Sequence, residues 1–144
     1  MPRTMHPLFQ QANALSAEVI QAAMRVHSHF GPGLLESIYV RCLEQVLRNT
    51  GHRTAREKPV HISFEGLEID EVLRCDLIVD DCLVVEGKAV EPCSLNRFRM
   101  QLLSYMKLLD MPLGLVINFG EEHLKSRGIR RVILKGAGDG AAPF

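Results

Sequence analysis

A chain of 144 residues, 47% hydrophobic and 24% charged, has the size and composition of one globular domain with one core, which excludes a disordered or fibrous protein. Lysine plus arginine equals aspartate plus glutamate at 17 each, so attraction to a polyanion is not built into the whole molecule, although a local basic face is still open. No apolar run reaches the roughly 18 residues of a membrane span, Met1 to His6 lacks the apolar stretch of a signal peptide, and Cys42, Cys75, Cys82 and Cys93 show no C-x-x-C pairing, so the expectation is a reduced, cytoplasmic protein with no membrane partner.

Along the chain, Val19, Ala23, Val26 and Phe30 recur at helical spacing, which predicts a first helix over 16–30 with Ser16 as N-cap and Gly31 as stop. After the turn Gly31-Pro32-Gly33, a second helix places Leu35, Tyr39, Cys42, Val46 and Leu47 on one side and closes at Gly51. From Thr54 to Phe64 the pattern changes to near alternation, with Val60, Ile62 and Phe64 on one face, as in a half-buried strand. Glu65-Gly66 turns the chain into a second strand through Ile69, Val72, Arg74, Asp76 and Ile78, and Asp80-Asp81 turns it again. The third strand, Cys82 to Ala89, is apolar on both sides until Glu86, as a central strand is. A helix over 94–110 buries Phe98, Leu102, Tyr105, Met106 and Leu109 and is ended by Pro112. Strands over 113–119 and 129–134 complete a mixed sheet flanked by helices, an α/β domain over 1–135, and the glycine-rich segment 136–144 is expected to be a flexible tail.

Ionisable residues interrupt this apolar pattern where chemistry can be done. Hydrolysis of a phosphodiester needs a hard divalent cation, a nucleophilic water and a positive charge near the transition state. Glu86 and Lys88 lie two apart on one strand, so their side chains leave the same face about 6.5 to 7 Å apart by backbone rise, and Asp76 stands on the preceding strand. Taken alone, the triplet is equally an ion pair at a strand end, and Asp76 a turn-side acid. Glu36, near the start of the second helix, has the alternative role of stabilising the helix dipole.

The segment Gly33-Leu34-Leu35-Glu36-Ser37-Ile38-Tyr39 spells G-x-x-E-x-x-Y, and with it the chain resembles the GxxExxY family of the PD-(D/E)XK nuclease superfamily. The likeness extends from about Leu15 to Leu134 through Phe30-Gly31-Pro32-Gly33, Arg74-Cys75-Asp76, Val85-Glu86-Gly87-Lys88-Ala89, Gln101-Leu102-Leu103-Ser104-Tyr105, the stretch from Gly114 to Gly120, and Ile129-Arg130-Arg131-Val132. These strings are common singly; their order and spacing are specific. The resemblance implies a restriction-endonuclease-like core in which Asp76 and Glu86, joined by the Gly87 carbonyl, ligate Mg²⁺ or Mn²⁺. It further implies that Lys88 orients water or stabilises developing charge, that Glu36 adds a helix-borne acid as ligand or through a water, and that Gln101 is a polar residue beside the site.

Tyr39 stands one turn beyond Glu36 and Tyr105 one turn beyond Gln101, so each either borders the site or is a core tyrosine with a satisfied hydroxyl. Asn118 is either a polar group near the site or a strand-end cap. His27 and His29 lack matched spacing for zinc and read as packed or surface residues. Arg97, Arg99, Lys107, Lys125, Arg127, Arg130 and Arg131 either contact phosphates or form a solvated surface. Two functions follow: a metal-dependent nuclease, with DNA favoured over RNA, or a non-catalytic module that binds nucleic acid or protein on the same fold. A chain this short leaves little room for a dedicated recognition domain, so any sequence selectivity is expected to come from loops, a homodimer or a protein partner.

Overall fold

A computed structural model describes residues 5–138. Helices α1 (Phe9–Phe30) and α2 (Glu36–Asn49) precede the hairpin β1 (Thr54–Phe64) and β2 (Leu67–Val79). Strand β3 (Leu83–Lys88), helix α3 (Asn96–Leu109), strand β4 (Leu113–Asn118), a short turn of helix α4 (Leu124–Arg127) and strand β5 (Ile129–Ile133) follow. The five strands lie in the order β1-β2-β3-β4-β5. Only β3 and β4 are parallel, and α3 makes the crossover that parallel neighbours require.

The sheet is covered on both faces. Leu77, Leu83, Val85, Leu115 and Ile117 pack under α1 and α2, whereas Ile78, Val84, Val116 and Val132 pack under α3. Strict alternation along β3 with burial on both sides is why its sequence is a continuous apolar run. Among the described residues no helix is long and apolar enough to cross a membrane.

Three elements differ from their expected form. Helix α1 begins at Phe9, because the apolar stripe already runs through Phe9, Ala12 and Leu15 before Val19. Ser16 is therefore not a cap: it is buried inside the helix and donates its hydroxyl to the Asn13 carbonyl at 2.7 Å. The expected stop holds, since Gly31 takes φ 68° and its N–H reaches the His27 carbonyl at 2.7 Å. In α2 the buried line is Tyr39, Val40, Leu43 and Leu47; Leu35 is 71% exposed, and Cys42 and Val46 are only half-buried. The face is thus set by the 39/43/47 spacing and not by Leu35.

The hairpin outruns the sheet. Pairing of β2 with β3 ends at Leu77 and Val85, while β1 and β2 stay paired to Phe64 and Leu67. The expected trio therefore splits: Val60 is buried in the cluster under α3, whereas Phe64, at the hairpin tip, is 64% exposed. β1 is an edge strand, where Pro59 is tolerated because one side of the ladder has no partner to lose. At the other end Ala137 is buried, accepts the His6 N–H and donates to the Leu134 carbonyl, both at 2.9 Å. Ala137 and Gly138 of the expected tail therefore pack on the domain while Gly136 is exposed, and 139–144 lie outside the described residues.

Candidate active site

An irregular step in the hairpin positions the first acid. Ala55 pairs with Ile78 but Glu57 pairs with Arg74, so Arg56 alone faces Cys75, Asp76 and Leu77. The extra length arches β2 and breaks its alternation: Cys75 packs on the α3 side, Leu77 on the α1 and α2 side. Asp76, in the arch, turns its carboxylate to β3 and accepts the Gly87 N–H at 2.9 Å. A glycine is needed at 87, because a Cβ there would lie 2.7 Å from the Val40 side chain of α2.

Glu86 and Lys88 share the face of Val84, toward α3. Glu86 is 7% exposed, and Lys88 Nζ lies 3.2 Å from its Oε1 and 4.9 Å from the centre of the Phe98 ring. The ammonium is thus held between a carboxylate and an aromatic face. Glu36 arrives from the opposite layer as the first residue of α2. The preceding turn uses left-handed backbone at Gly31 and Gly33, and Tyr39 locks it by donating to the Gly31 carbonyl and accepting the Leu34 N–H. Stacking of Tyr39 on Phe119, 4.7 Å between ring centres, anchors the lock in the core. Tyr39 therefore aims Glu36 from beneath; its ring is fully buried and does not border the cleft.

The charges meet. Burial raises the Glu36 carboxyl above its ordinary range, Asp76 raises it further, and Lys88 opposes both. Burial likewise raises Glu86, reinforced by Asp76 and then offset by the hydrogen bond and charge of Lys88, with Glu36 adding a smaller upward push. Burial and then the charges of Glu86 and Asp76 push the Cys75 thiol up to about 11, so it is a protonated wall of the site and not a nucleophile. Asp76 and Lys88 thus act on both the Glu36 and the Glu86 carboxyl, so the four residues, drawn from three elements, lie near one another. Glu36 and Asp76 open onto a cleft of about 300 Å³, also lined by Val40, Arg56 and Arg74.

Other expected site residues lie elsewhere. Gln101 is exposed on α3 and donates to the Tyr105 hydroxyl at 3.0 Å, a pair one turn apart with no bond to the acids or Lys88. Asn118 is fully buried and clamps the chain after Lys88: its Oδ1 accepts the Val90 and Gly120 N–H groups and its Nδ2 donates to the Val90 carbonyl. His27 is buried with Nε2 at 2.6 Å from the Glu121 carbonyl oxygen. Arg56 and Arg74, by contrast, are absent from the basic residues weighed above for phosphate contact: the irregular step in the hairpin sets Arg56 opposite Asp76, and Arg74 precedes Asp76 by two residues.

The carboxylates at the cluster offer oxygens, the set a hard divalent cation takes, and such a cation would favour the charged form of Glu36 and Glu86, which burial first and Asp76 second push toward the protonated form. Asp76 and Glu86, with Glu36, are the residues that would hold it. Among the described residues no group of three or more His, Cys, Asp or Glu is drawn together tightly enough to cage a metal ion; Mg²⁺ needs only one or two carboxylates and keeps several waters.

A family profile described as the PD-(D/E)XK nuclease superfamily matches residues 13–132. No curated protein sequence matches the chain. Among solved structures, the crystal structure of SSO0001 superimposes with a TM-score of 0.50 at 18% identity, covering 81% of this chain and 66% of that one, slightly less than two thirds of its length. At that identity the likeness concerns the fold alone.

Proposed function

The chain belongs to the PD-(D/E)XK nuclease superfamily, and from that premise we propose that it is a divalent-metal-dependent nuclease of the GxxExxY type acting on DNA in preference to RNA. The observation that supports this most directly is the convergence of Asp76, Glu86 and Lys88 at one point of the sheet, with the Asp76 carboxylate on the Gly87 N–H between Glu86 and Lys88 and the Lys88 ammonium 3.2 Å from Glu86. Asp76 and Glu86, with Glu36 and the Gly87 carbonyl as further oxygens, would hold Mg²⁺ or Mn²⁺, which when bound would supply charge neutralisation and an acidified water. The Gly87 N–H keeps the Asp76 carboxylate oriented. Lys88, beside Glu86, donates a hydrogen bond to the negative charge that builds on the phosphoryl oxygens. Gln101 with Tyr105 belongs to the flank of α3 along which a strand passes. The protein acts in the cytoplasm, and a second copy or a protein partner contributes selectivity.

The test is incubation of wild type and Lys88→Ala with single- and double-stranded DNA and RNA, with and without Mn²⁺. Mn²⁺-dependent cleavage by wild type, reduced about 100-fold or more in the variant, is expected; equal cleavage by both proteins sinks the proposal.

The completed Glu86 and Lys88 ion pair favours a second reading, a non-catalytic module that binds nucleic acid or protein. Calorimetry separates the two. Mn²⁺ binding that is lost in Asp76→Ala belongs to the nuclease, and an absence of metal binding belongs to the module.

A further inference from the structure

Arg56 and Arg74 line the same cleft as Glu36 and Asp76, yet neither is paired with those acids. Arg56 Nη2 is held by Glu44 at 3.2 Å, and Glu44 is itself buried in α2 and within 3.5 Å of Arg48. Arg74 Nε is held by Glu57 at 3.2 Å, with its side chain 83% exposed. Each guanidinium is thus oriented by a carboxylate outside the acidic cluster. A guanidinium has five N–H donors, so one bond to a carboxylate leaves most of the fork unspent. Positive charge placed beside Asp76 but bonded elsewhere does not quench the cluster; it offers a second, anion-seeking position next to it.

Arg74 also lines a groove of about 560 Å³ that runs out along the hairpin past Pro59, His61, Asp70 and Val72. The two clefts therefore meet at Arg74, which a chain-like ligand in the first can reach. Asp70 and Glu71 line that groove with Arg74, and Glu65 and Glu68 follow farther out; all four repel phosphate. Favourable phosphate contact on this side consequently ends at Arg74.

We propose that Arg56 and Arg74 form a phosphate-binding pair for the nucleic-acid strand, taking the phosphodiester adjacent to the one at the acids. Planar, bidentate recognition of phosphate is what arginine supplies and lysine does not. This rests on the nuclease reading and adds to it the residues that grip the strand.

The test is fluorescence anisotropy of a labelled single-stranded oligonucleotide over a range of salt, in EDTA so that nothing is cleaved, with inorganic phosphate as a competing probe. Arg74→Gln and Arg56→Gln are each expected to weaken binding about three- to tenfold and to reduce the salt slope by about 1. Lys58→Gln removes a charge of the same hairpin that is committed to Asp81, and is expected to bind as wild type does. Arg74→Lys keeps the charge and is expected to restore the salt slope but only part of the affinity. Because Arg74 is exposed, its variants guard against a folding artefact at Arg56. Competition by phosphate alone at concentrations comparable to the oligonucleotide overturns the assignment to a strand. Unchanged binding in both glutamine variants, an equal loss in Lys58→Gln, or no binding by wild type overturns the proposal. If binding depends on the two arginines but wild type shows no Mn²⁺-dependent cleavage, the grip stands and the nuclease reading fails.

Discussion

The charge on Glu86 is set by its neighbours. Its carboxyl is raised above the ordinary 4.5 by burial first and by Asp76 second, with Lys88 pulling back. A carboxyl raised on folding binds its proton more tightly in the native chain, so stability falls as pH climbs from 4.5 through the raised value and stays lower above it. Asp76→Asn removes the charge that raises both Glu36 and Glu86. Carbon-detected NMR titration of the glutamate carboxyls is expected to show both values moving down in that variant; values that stay put mean that the three acids do not share a site. At this scale the sequence was readable where a polar residue broke an apolar run, as at Glu86 and Lys88. Whether Tyr39 and Asn118 faced the site or the core was not, because a buried hydroxyl or amide is identified by its partners, Gly31 and Val90, and these lie across turns and strands.

Among the elements, α2 and β3 are fitted to each other at one point. The missing Cβ of Gly87 lets Val40 sit where a methyl would be, 2.7 Å away, and the same close approach holds Glu36, at the head of α2, near Asp76. Gly87→Ala is expected to cost about 1–3 kcal/mol in denaturant unfolding. Val40→Ala in the same chain is expected to recover part of that loss, and strictly additive losses refute the contact. The strand order in sequence, the glycine turns and the apolar run of β3 were legible because each follows from local pattern. The early start of α1 was missed because alanines and glutamines around Ala12 dilute the stripe. The arch at Asp76 was missed because nothing in the string Leu73 to Val79 announces extra residues; only the register against Ala55 and Glu57 does. That arch sets Arg56 opposite Asp76, a placement across strands that the sequence does not announce.

Over the whole molecule the balanced net charge conceals a division. The projecting hairpin is acidic from Glu57 to Glu71 apart from Lys58, whereas lysine and arginine are in excess from Arg97 to Lys135. On the nuclease proposal, a strand bound at the cleft would be drawn toward the α3 and β5 half and turned away from the hairpin tip. The hairpin has a further consequence through its position at the sheet margin. β1 presents eleven residues at an open border, and the stretch Val60 to Phe64 is rich in β-forming side chains. Arg56, Glu57, Lys58 and Pro59 stand directly before it, and they act as gatekeepers that discourage a neighbouring molecule from adding its own strand there. Pro59→Val is expected to leave the folded state intact while promoting aggregation during refolding from denaturant, measured by light scattering and thioflavin fluorescence. Refolding yields equal to wild type would show that polymerisation is held off by some other device.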